Sequence, residues 1–163
     1  VWLAEEIWPQ VTAQLPQVKL HLIGSNVTEK IHALASDNII VHGFVDQLEP
    51  WLDAVRCTVA PLRYGAGVKG KINSSMGRGV PVVATSIGAE GMFLEHKRDV
   101  LLADDSTAFA SAIVKLHEDS SLWHKLSSNA VSNVEQHFSM ARAEQDLQDI
   151  LAALQEPAEQ SAH

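Results

Sequence analysis

The sequence predicts an α/β fold, a three-layer, Rossmann-like domain in which a doubly wound parallel sheet lies between helices. Short β-rich apolar runs alternate along the chain with longer helical patterns, and turn residues follow every predicted strand. The 163 residues are enough to bury a core without metals or disulfides. We therefore expect one domain over residues 1–155 and a flexible tail over residues 156–163.

The elements follow from these patterns in chain order. Leu3, Ile7, Val11 and Leu15 form a helical stripe at the start of the chain, and Pro9 forces a kink or restart within it. The apolar runs predict strands over residues 18–23, 39–42, 58–62, 81–85 and 100–103. The helical patterns predict helices over residues 28–35, 49–55, 69–78, 107–118, 121–137 and 140–154.

The turns that follow the strands are rich in glycine and small polar residues. They are Gly24-Ser25-Asn26, Gly43, residues 65–70, residues 88–91 and Asp104-Asp105-Ser106. In doubly wound sheets, ligands bind at the carboxyl ends of the strands, where such turns meet. We therefore expect one ligand crevice built from several loops.

One stretch of this acidic chain holds no Asp or Glu, the segment between Asp53 and Glu90. The whole chain carries 20 acidic residues and a formal net charge of −8. The acid-free segment contains five cations, Arg56, Arg63, Lys69, Lys71 and Arg78. Backbone N–H groups freed by small residues, with lysines beside them, suit a phosphate group. The segment is therefore predicted to bind an anionic ligand.

Composition argues against several other classes of protein. The negative charge and the 6% aromatic content disfavour nucleic acid as a partner. The sequence has no signal peptide and no run of about 18 apolar residues, so we expect a cytoplasmic protein without a transmembrane segment. The eight histidines lack metal-ligand spacing, so no metal site is expected, and Cys57 is interpreted as a small buried hydrophobe.

Three interpretations of the glycine-rich segment compete. Its G-x-G-x-x-G spacing over residues 65–70 matches a dinucleotide-binding fingerprint, but Thr85 and Ser86 stand where the partner acid is expected. The segment also approaches a Walker A loop, but Ile72 replaces the Mg²⁺-binding Ser or Thr. The third interpretation is a tight strand-to-helix turn without a ligand.

The helix that follows favours a ligand over a plain turn. Its buried stripe is predicted to consist of Val68, Ile72 and Met76. Another face carries Gly67, Lys71, Ser74 and Arg78. Two cations and a hydroxyl beside a helix N-terminus suit a diphosphate. Glu90, the first acid after the gap, is either a ligand for a sugar hydroxyl or a solvated loop carboxylate.

Five segments of the chain resemble a known family. They are LIGS (22–25), VHGFV (41–45), APLRYGAGVKGKINSSM (60–76), GVPVVAT (79–85) and GAEGM (88–92). In this order they are similar to the carboxyl half of family 4 (group 1) glycosyltransferases. The resemblance implies the GT-B arrangement of two facing Rossmann-like domains, in which the carboxyl domain holds a nucleotide-sugar donor.

The resemblance also implies roles for individual residues. It implies that the turn from Gly65 to Gly70 approaches the donor's phosphates and sugar, that the segment after Gly43 borders the base, and that the helix over residues 69–78 reaches the ribose. The donor-binding residues expected on this basis are Gly43, Val45, Arg63, Gly65, Gly67, Lys69, Lys71, Ser74, Ser75 and Glu90. A retaining hexosyltransferase that needs neither metal nor cofactor is implied, and no catalytic residue is assigned.

The chain departs from the family pattern in two ways. The family commonly has two glutamates where this chain has Ala66 and Ser74, and a serine hydroxyl accepts ribose hydrogen bonds less strongly than a carboxylate. The acceptor domain and the first strand of the donor domain would precede Val1, so we expect the isolated chain to be inactive. Without that strand, the strands over residues 18–23 and 58–62 either pair directly or take a strand from another segment or a second copy, and we expect a dimer.

Two alternative functions stay open. The first is a non-enzymatic, truncated module that binds a nucleotide weakly or only assembles with partners. The second is a domain of a nucleotide-sugar epimerase with similar architecture.

Overall fold

Five short strands alternate with helices in the computed structural model, which describes residues 1–65 and 67–155. Ala66 and the predicted tail over residues 156–163 lie outside the described residues. The strands are β1 (Leu20–Ile23), β2 (Ile39–Gly43), β3 (Thr58–Ala60), β4 (Val82–Ala84) and β5 (Leu101–Leu102). The α-helices are α1 (Trp8–Thr12), α2 (Glu29–His32), α3 (Glu49–Ala54), α4 (Gly70–Gly77), α5 (Ser86–Ala89), α6 (Ser106–Glu118), α7 (Ser120–Phe138) and α8 (Met140–Gln155). The predicted order of strands and helices is confirmed.

Two prolines explain why two strands are shorter than predicted, and a capping threonine starts a helix that was not predicted. β3 and β4 are shorter than predicted because Pro61 and Pro81 have no N–H group to donate to a ladder. The sequence patterns do not predict α5, which starts where Thr85 Oγ1 accepts from Gly88 N at 3.0 Å. Gly88 suits this turn because a Cβ there would lie 2.9 Å from the Ala60 carbonyl oxygen.

The amino-terminal helix changes pitch just before Pro9. Residues Leu3–Ile7 form a π-helix, and α1 then begins with Pro9 in its first turn, where a missing N–H costs least. The predicted kink or restart at Pro9 takes the form of a change from π-helix to α-helix at Trp8, one residue earlier. Ile7 and Val11 are fully buried where this helix packs against α6.

Helices cover both faces of the sheet region, so the domain has three layers. Successive residues of β4 point to opposite faces. Val83 belongs to the core cluster that includes residues of α1 and α6, whereas Val82 and Ala84 pack with Ile72 and Met76 of α4. All paired strands run parallel. The predicted α/β fold with parallel strands is confirmed.

The strands form two separate sheets. β1 pairs with β2, and the second sheet has the order β3-β4-β5, while no ladder within the described residues joins β1 to β3. A cavity of about 700 Å³ lies between these two strands, lined by Leu20 and Ile23 of β1 and by Val59 and Ala60 of β3. Direct pairing of β1 with β3, one of the expected outcomes, is therefore not found.

The two longest helices lie at the end of the described chain. α7 and α8 contain 19 and 16 residues and pack against each other. Over residues 1–65 and 67–155, none of the helices combines the length and the apolar character that a membrane span requires.

Candidate functional site

The glycine-rich loop between β3 and α4 has a backbone conformation that favours glycine. Gly65 and Gly67 have φ angles of 129° and 79°, and both are exposed. Lys69 follows in an extended conformation and forms the N-cap of α4 without a side-chain capping bond. Its own N–H donates to the Met92 sulfur at 3.2 Å. The first N–H groups of α4 thus have no capping side chain, which leaves them available to an anion.

Two lysines flank the start of α4 in different ways. Lys69 Nζ donates to the Gly67 carbonyl oxygen at 2.5 Å and closes the loop on itself. Lys71 is exposed, lines the cavity between the two sheets, and has no ion pair within the described part of the chain. Lys71 is therefore a cation that α4 presents to the cavity.

The two serines of α4 occupy different environments. Ser75 lines the cavity together with Lys71, is 3% exposed, and donates from Oγ to the Lys71 carbonyl oxygen at 3.0 Å. Ser74 is exposed, and its Oγ donates to the Gly70 carbonyl oxygen at 3.0 Å. Both hydroxyl oxygens keep lone pairs with which they can accept from a ligand.

The predicted placement of Arg78 beside Lys71 on a ligand-facing side of the helix is wrong. Arg78 instead donates to the Asp53 carboxylate of α3, through Nε at 2.7 Å and through Nη2 at 2.5 Å. α4 ends at Gly77, so the helical periodicity no longer fixes the direction of Arg78. These hydrogen bonds hold the pKa of the Asp53 carboxyl below its usual value.

The predicted buried stripe of α4 is correct only within the helix itself. Ile72 and Met76 are 4% and 0% exposed, as expected for the core face. Val68 precedes the helix and is 57% exposed, so its predicted burial is wrong.

A second loop approaches the cavity from the end of β2. Gly43 ends this strand with a φ angle of 73°, and Val45 lines the cavity two residues later. Between them, the side chain of Phe44 is 71% exposed. The cavity therefore brings together three of the predicted site residues, Val45, Lys71 and Ser75.

Seven of the ten predicted site residues do not line this cavity, among them Arg63 and Glu90. Arg63 lies in a separate depression of about 430 Å³, with its guanidinium carbon 5.8 Å from the centre of the Trp2 ring. Glu90 is exposed at the carboxyl end of α5. At the other end of α5, the Asp104 carboxylate accepts from Ser86 Oγ at 2.6 Å and from Ser86 N at 2.7 Å, which lowers the pKa of Asp104.

Sequence reasoning missed the aromatic and imidazole side chains of the cavity. His21 of β1 and Trp51 of α3 both line it, and His21 is hydrogen-bonded to His42 of β2. A signal for this pair exists in the sequence, because each histidine interrupts an otherwise apolar strand, LHLI and IIVHG.

The described residues contain no group of three or more His, Cys, Asp or Glu side chains that could hold a metal ion. Burial raises the pKa of the Cys57 thiol to about 12, so the thiolate needed for nucleophilic chemistry is disfavoured. The interpretation of Cys57 as a small hydrophobe agrees with its packing against the core cluster around β1 and α6.

The family comparison decides the class of this protein. The sequence profile of the family described as "Glycosyl transferases group 1" matches residues 1–119. This chain belongs to the group 1 glycosyltransferases. The resemblance inferred from residues 22–25, 41–45, 60–76, 79–85 and 88–92 is therefore confirmed. A curated relative, an uncharacterized 44.6 kDa protein in the cps region of Klebsiella pneumoniae, is 26% identical over 147 residues, which are 85% of this chain and 38% of the relative.

Solved structures show that this glycosyltransferase domain has the fold of the carboxyl half of GT-B enzymes. Anabaena Alr3699/HepE in complex with UDP-glucose has a TM-score of 0.77 at 22% identity, over 93% of this chain and 46% of that chain. A TarM mutant from S. aureus, in complex with Fondaparinux, alpha-GlcNAc-glycerol and UDP, has a TM-score of 0.78 at 23% identity, over 94% of this chain and 32% of that chain. The chain spans less than half the length of these relatives.

Proposed function

We propose that this glycosyltransferase domain binds the nucleotide-sugar donor of a retaining hexosyltransferase, which passes the sugar to a saccharide or another acceptor. The observation that carries the proposal is the start of α4, whose N–H groups lack a capping side chain and lie next to Gly65, Gly67 and Lys71. Helix N-termini of this kind bind phosphate groups, because the N–H donors and the positive end of the helix dipole act together.

The donor's diphosphate is proposed to lie over the glycine loop and the first turn of α4. Gly65 and Gly67 leave room for close approach of the phosphates, since no atom lies within 4 Å of the position that a Cβ would occupy on either residue. Lys71 supplies a charge that no carboxylate of the described residues engages, and Lys69 braces the loop through the Gly67 carbonyl. A phosphate that accepts from both backbone and lysine donors gains charge-assisted hydrogen bonds.

The remaining parts of the donor are proposed to follow the two loops. The base borders Gly43 and Val45, and the ribose lies over Ser74 and Ser75. The sugar lies toward Glu90, with Arg63 at the outer edge of the glycine loop. Neither metal nor organic cofactor is part of this proposal.

The charges of the acid-free segment support an anionic ligand at the loop. Two of its five cations are engaged elsewhere: Arg78 binds Asp53, and Arg56 donates to the Leu116 carbonyl oxygen at 2.9 Å. Arg63, Lys69 and Lys71 remain around the glycine loop and the first turn of α4. A donor diphosphate would bring negative charge to a segment that contains no Asp or Glu of its own.

The relatives support the same placement. The Alr3699/HepE structure holds UDP-glucose, and that structure and this chain share the donor-domain fold over 93% of this chain.

We also propose that a further strand and an acceptor domain complete the enzyme, since the chain spans less than half of its relatives. A strand advances about 3.3 Å per residue, lies about 4.8 Å from each neighbour and fills a layer about 10 Å thick, so four to five residues need roughly 600–800 Å³. The cavity of about 700 Å³ separates β1 from β3 and also reaches Val45, Lys71 and Ser75, so the strand is proposed to fill only the part between β1 and β3. The isolated chain is accordingly proposed to bind donor without transferring sugar.

A non-enzymatic assembly module is the second candidate function. The observation that favours it is the pair of strand edges, on β1 and β3, that have no ladder partner within the described residues. Unpaired edges recruit strands from other chains, including a second copy of this one.

Calorimetric titration of the isolated chain with UDP-glucose at low salt tests the donor-binding proposal. We expect weak binding that becomes weaker as salt is added, because the diphosphate contacts are electrostatic and partly exposed. GDP-linked and other nucleoside-diphosphate sugars serve as competitors that report the base preference. Absence of binding for every nucleoside diphosphate at millimolar concentration would favour the assembly module.

A further inference from the structure

His21 of β1 and His42 of β2 form a hydrogen-bonded pair. His21 Nδ1 lies 2.9 Å from His42 Nε2, and the ring planes are 4° apart. This contact is shorter than the about 3.5 Å at which the atoms of stacked rings touch, so the rings meet edge to edge. One nitrogen donates and the other accepts, because two bare or two protonated nitrogens repel each other.

Trp51 of α3 packs against both imidazoles. Its ring centre lies 4.3 Å from that of His42 and 5.7 Å from that of His21, with tilts of 54° and 51°. All three side chains are half-buried, so water is partly excluded from the hydrogen bond between the histidines. A hydrogen bond in such surroundings is stronger than one in water, and its loss is more costly.

His42 is also the extra residue of a β-bulge. The register runs from Leu22 with Val41 to Ile23 with Gly43. His42 therefore has no pairing partner on β1. Bulges of this kind change the direction of the chain that follows them. The chain turns at Gly43, with a φ angle of 73°, into the loop that carries Phe44 and Val45. The bond to His21 joins the bulged residue to β1.

We propose that His21 and His42 are positioning residues for donor binding, whose shared hydrogen bond fixes the bulge and the loop over residues 43–45, and that acidification releases this loop. The inference rests on the donor-binding function proposed above. The pair acts through Gly43 and Val45 and does not itself touch the donor.

The order of protonation determines when the bond is lost. A first added proton leaves an imidazolium that still donates to a neutral ring, whereas a second places protons on both facing nitrogens and breaks the contact. Burial, and then the charges of His42 and Lys19, lower the pKa of His21 from 6.5. A group whose pKa is lower in the folded than in the unfolded chain stabilises the fold above the unfolded pKa, and this stability is lost as pH falls through the folded pKa. The loop is therefore held at neutral pH and released below the folded pKa of His21.

The charged groups around the pair do not offset a second proton. Lys19 precedes β1 and disfavours positive charge on His21. On α3, Glu49 and Asp53 are exposed, and Asp53 is bound by Arg78. Asp46, in the loop after β2, is exposed as well. Within the described chain, neither imidazole makes a side-chain hydrogen bond other than the one that joins the two rings.

Binding of UDP-glucose at pH 7.5 and pH 5.0 tests the pair in wild type, in His42→Gln and in the control His32→Gln. UDP-glucose is preferred to UDP, because a terminal phosphate itself titrates near pH 6. Glutamine can donate and accept but does not titrate. We expect the wild-type affinity to fall by about fivefold at pH 5.0, the size of one lost hydrogen bond, and His42→Gln to abolish this fall. His32 is exposed on α2, so His32→Gln should behave as wild type.

A second readout without nucleotide keeps this inference separate from the proposed function. In the free protein, the backbone amide NMR shifts of residues 43–45 should follow the imidazole titration in wild type and stay flat in His42→Gln. If UDP-glucose does not bind but these shifts follow the titration, the donor-binding proposal is wrong. The inference that protonation controls the loop is then still supported. Flat wild-type shifts, or the same pH dependence of binding in His42→Gln and wild type, would overturn the inference.

Discussion

The guanidinium of Arg78 donates two hydrogen bonds to the carboxylate of Asp53 and ties the end of α4 to α3. The cations near the two ends of α4 therefore have different roles. Arg78 is neutralised at one end of the helix, whereas Lys71 lines the cavity at the other end without an ion-pair partner in the described residues.

The first prediction concerns Lys71. Lys71→Ala should weaken nucleotide-sugar binding by an amount on the order of 1–3 kcal/mol, because a charge-assisted hydrogen bond to phosphate is lost. Calorimetry measures the affinity, and circular dichroism should show an unchanged fold. Arg78→Ala, just beyond the end of the same helix, and Lys115→Ala, on α6, are the controls and should bind as wild type. If all three variants bind the nucleotide-sugar with equal affinity, Lys71 is a solvent-exposed residue that does not contact the ligand.

The second prediction concerns the ribose. If the ribose lies over Ser74, then Ser74→Glu should tighten the binding of ribonucleotides relative to the binding of 2′-deoxyribonucleotides. The reason is that a carboxylate can accept hydrogen bonds from both ribose hydroxyls. The measurement is the ratio of the two dissociation constants. Ser111→Glu adds the same charge at an exposed position of α6 and should leave the ratio unchanged. A ratio that Ser74→Glu does not change would place the ribose elsewhere.

The third prediction concerns the close approach of α5 to β3. A Cβ at Gly88 would lie 2.9 Å from the Ala60 carbonyl oxygen, which is a backbone atom and moves only with the strand. Gly88→Ala should therefore lower the free energy of unfolding by about 1–3 kcal/mol, more than alanine gains in helix propensity. Urea denaturation measures the change. Gly24→Ala is the matched control, since nothing lies within 4 Å of its Cβ position, and it should have little effect.

The fourth prediction concerns the cavity between β1 and β3. An apolar, β-branched strand of five residues, joined before Val1 by a short turn, should raise the thermal midpoint by adding ladder bonds on both sides. Hydrogen exchange should slow at the amides of β1 and β3 together. A Gly/Ser extension of equal length is the control and should change neither quantity. Identical results for the two extensions would contradict the proposed strand, and a dimer that forms only without the apolar extension would indicate that a second copy fills the gap.

Local patterns predict the elements of this domain because they depend on neighbouring residues. The order of strands and helices and the burial of Ile72 and Met76 follow from periodicities of two and 3.6 residues. Val68 and Arg78 lie just beyond the two ends of α4, where that periodicity stops, and both were misplaced by it. The donor-binding roles of the individual site residues stay predictions.

Contacts between residues that are far apart in the sequence could not be predicted from local patterns. The bond between His21 and His42 depends on a one-residue bulge, and the pair of Arg78 with Asp53 depends on where the end of α4 lies relative to α3. Neither the bulge nor this placement leaves a periodic trace in the sequence. The glycine loop could be recognised because its backbone angles demand glycine at Gly65 and Gly67.

The split between the two sheets has a consequence for how the domain unfolds. The sheet of β1 and β2 and the sheet of β3, β4 and β5 share no ladder within the described chain, so either can open without breaking the hydrogen bonds of the other. The loop over residues 43–45 belongs to the first sheet, and the glycine loop belongs to the second. A ligand that touched both loops would make the opening of one sheet depend on the opening of the other.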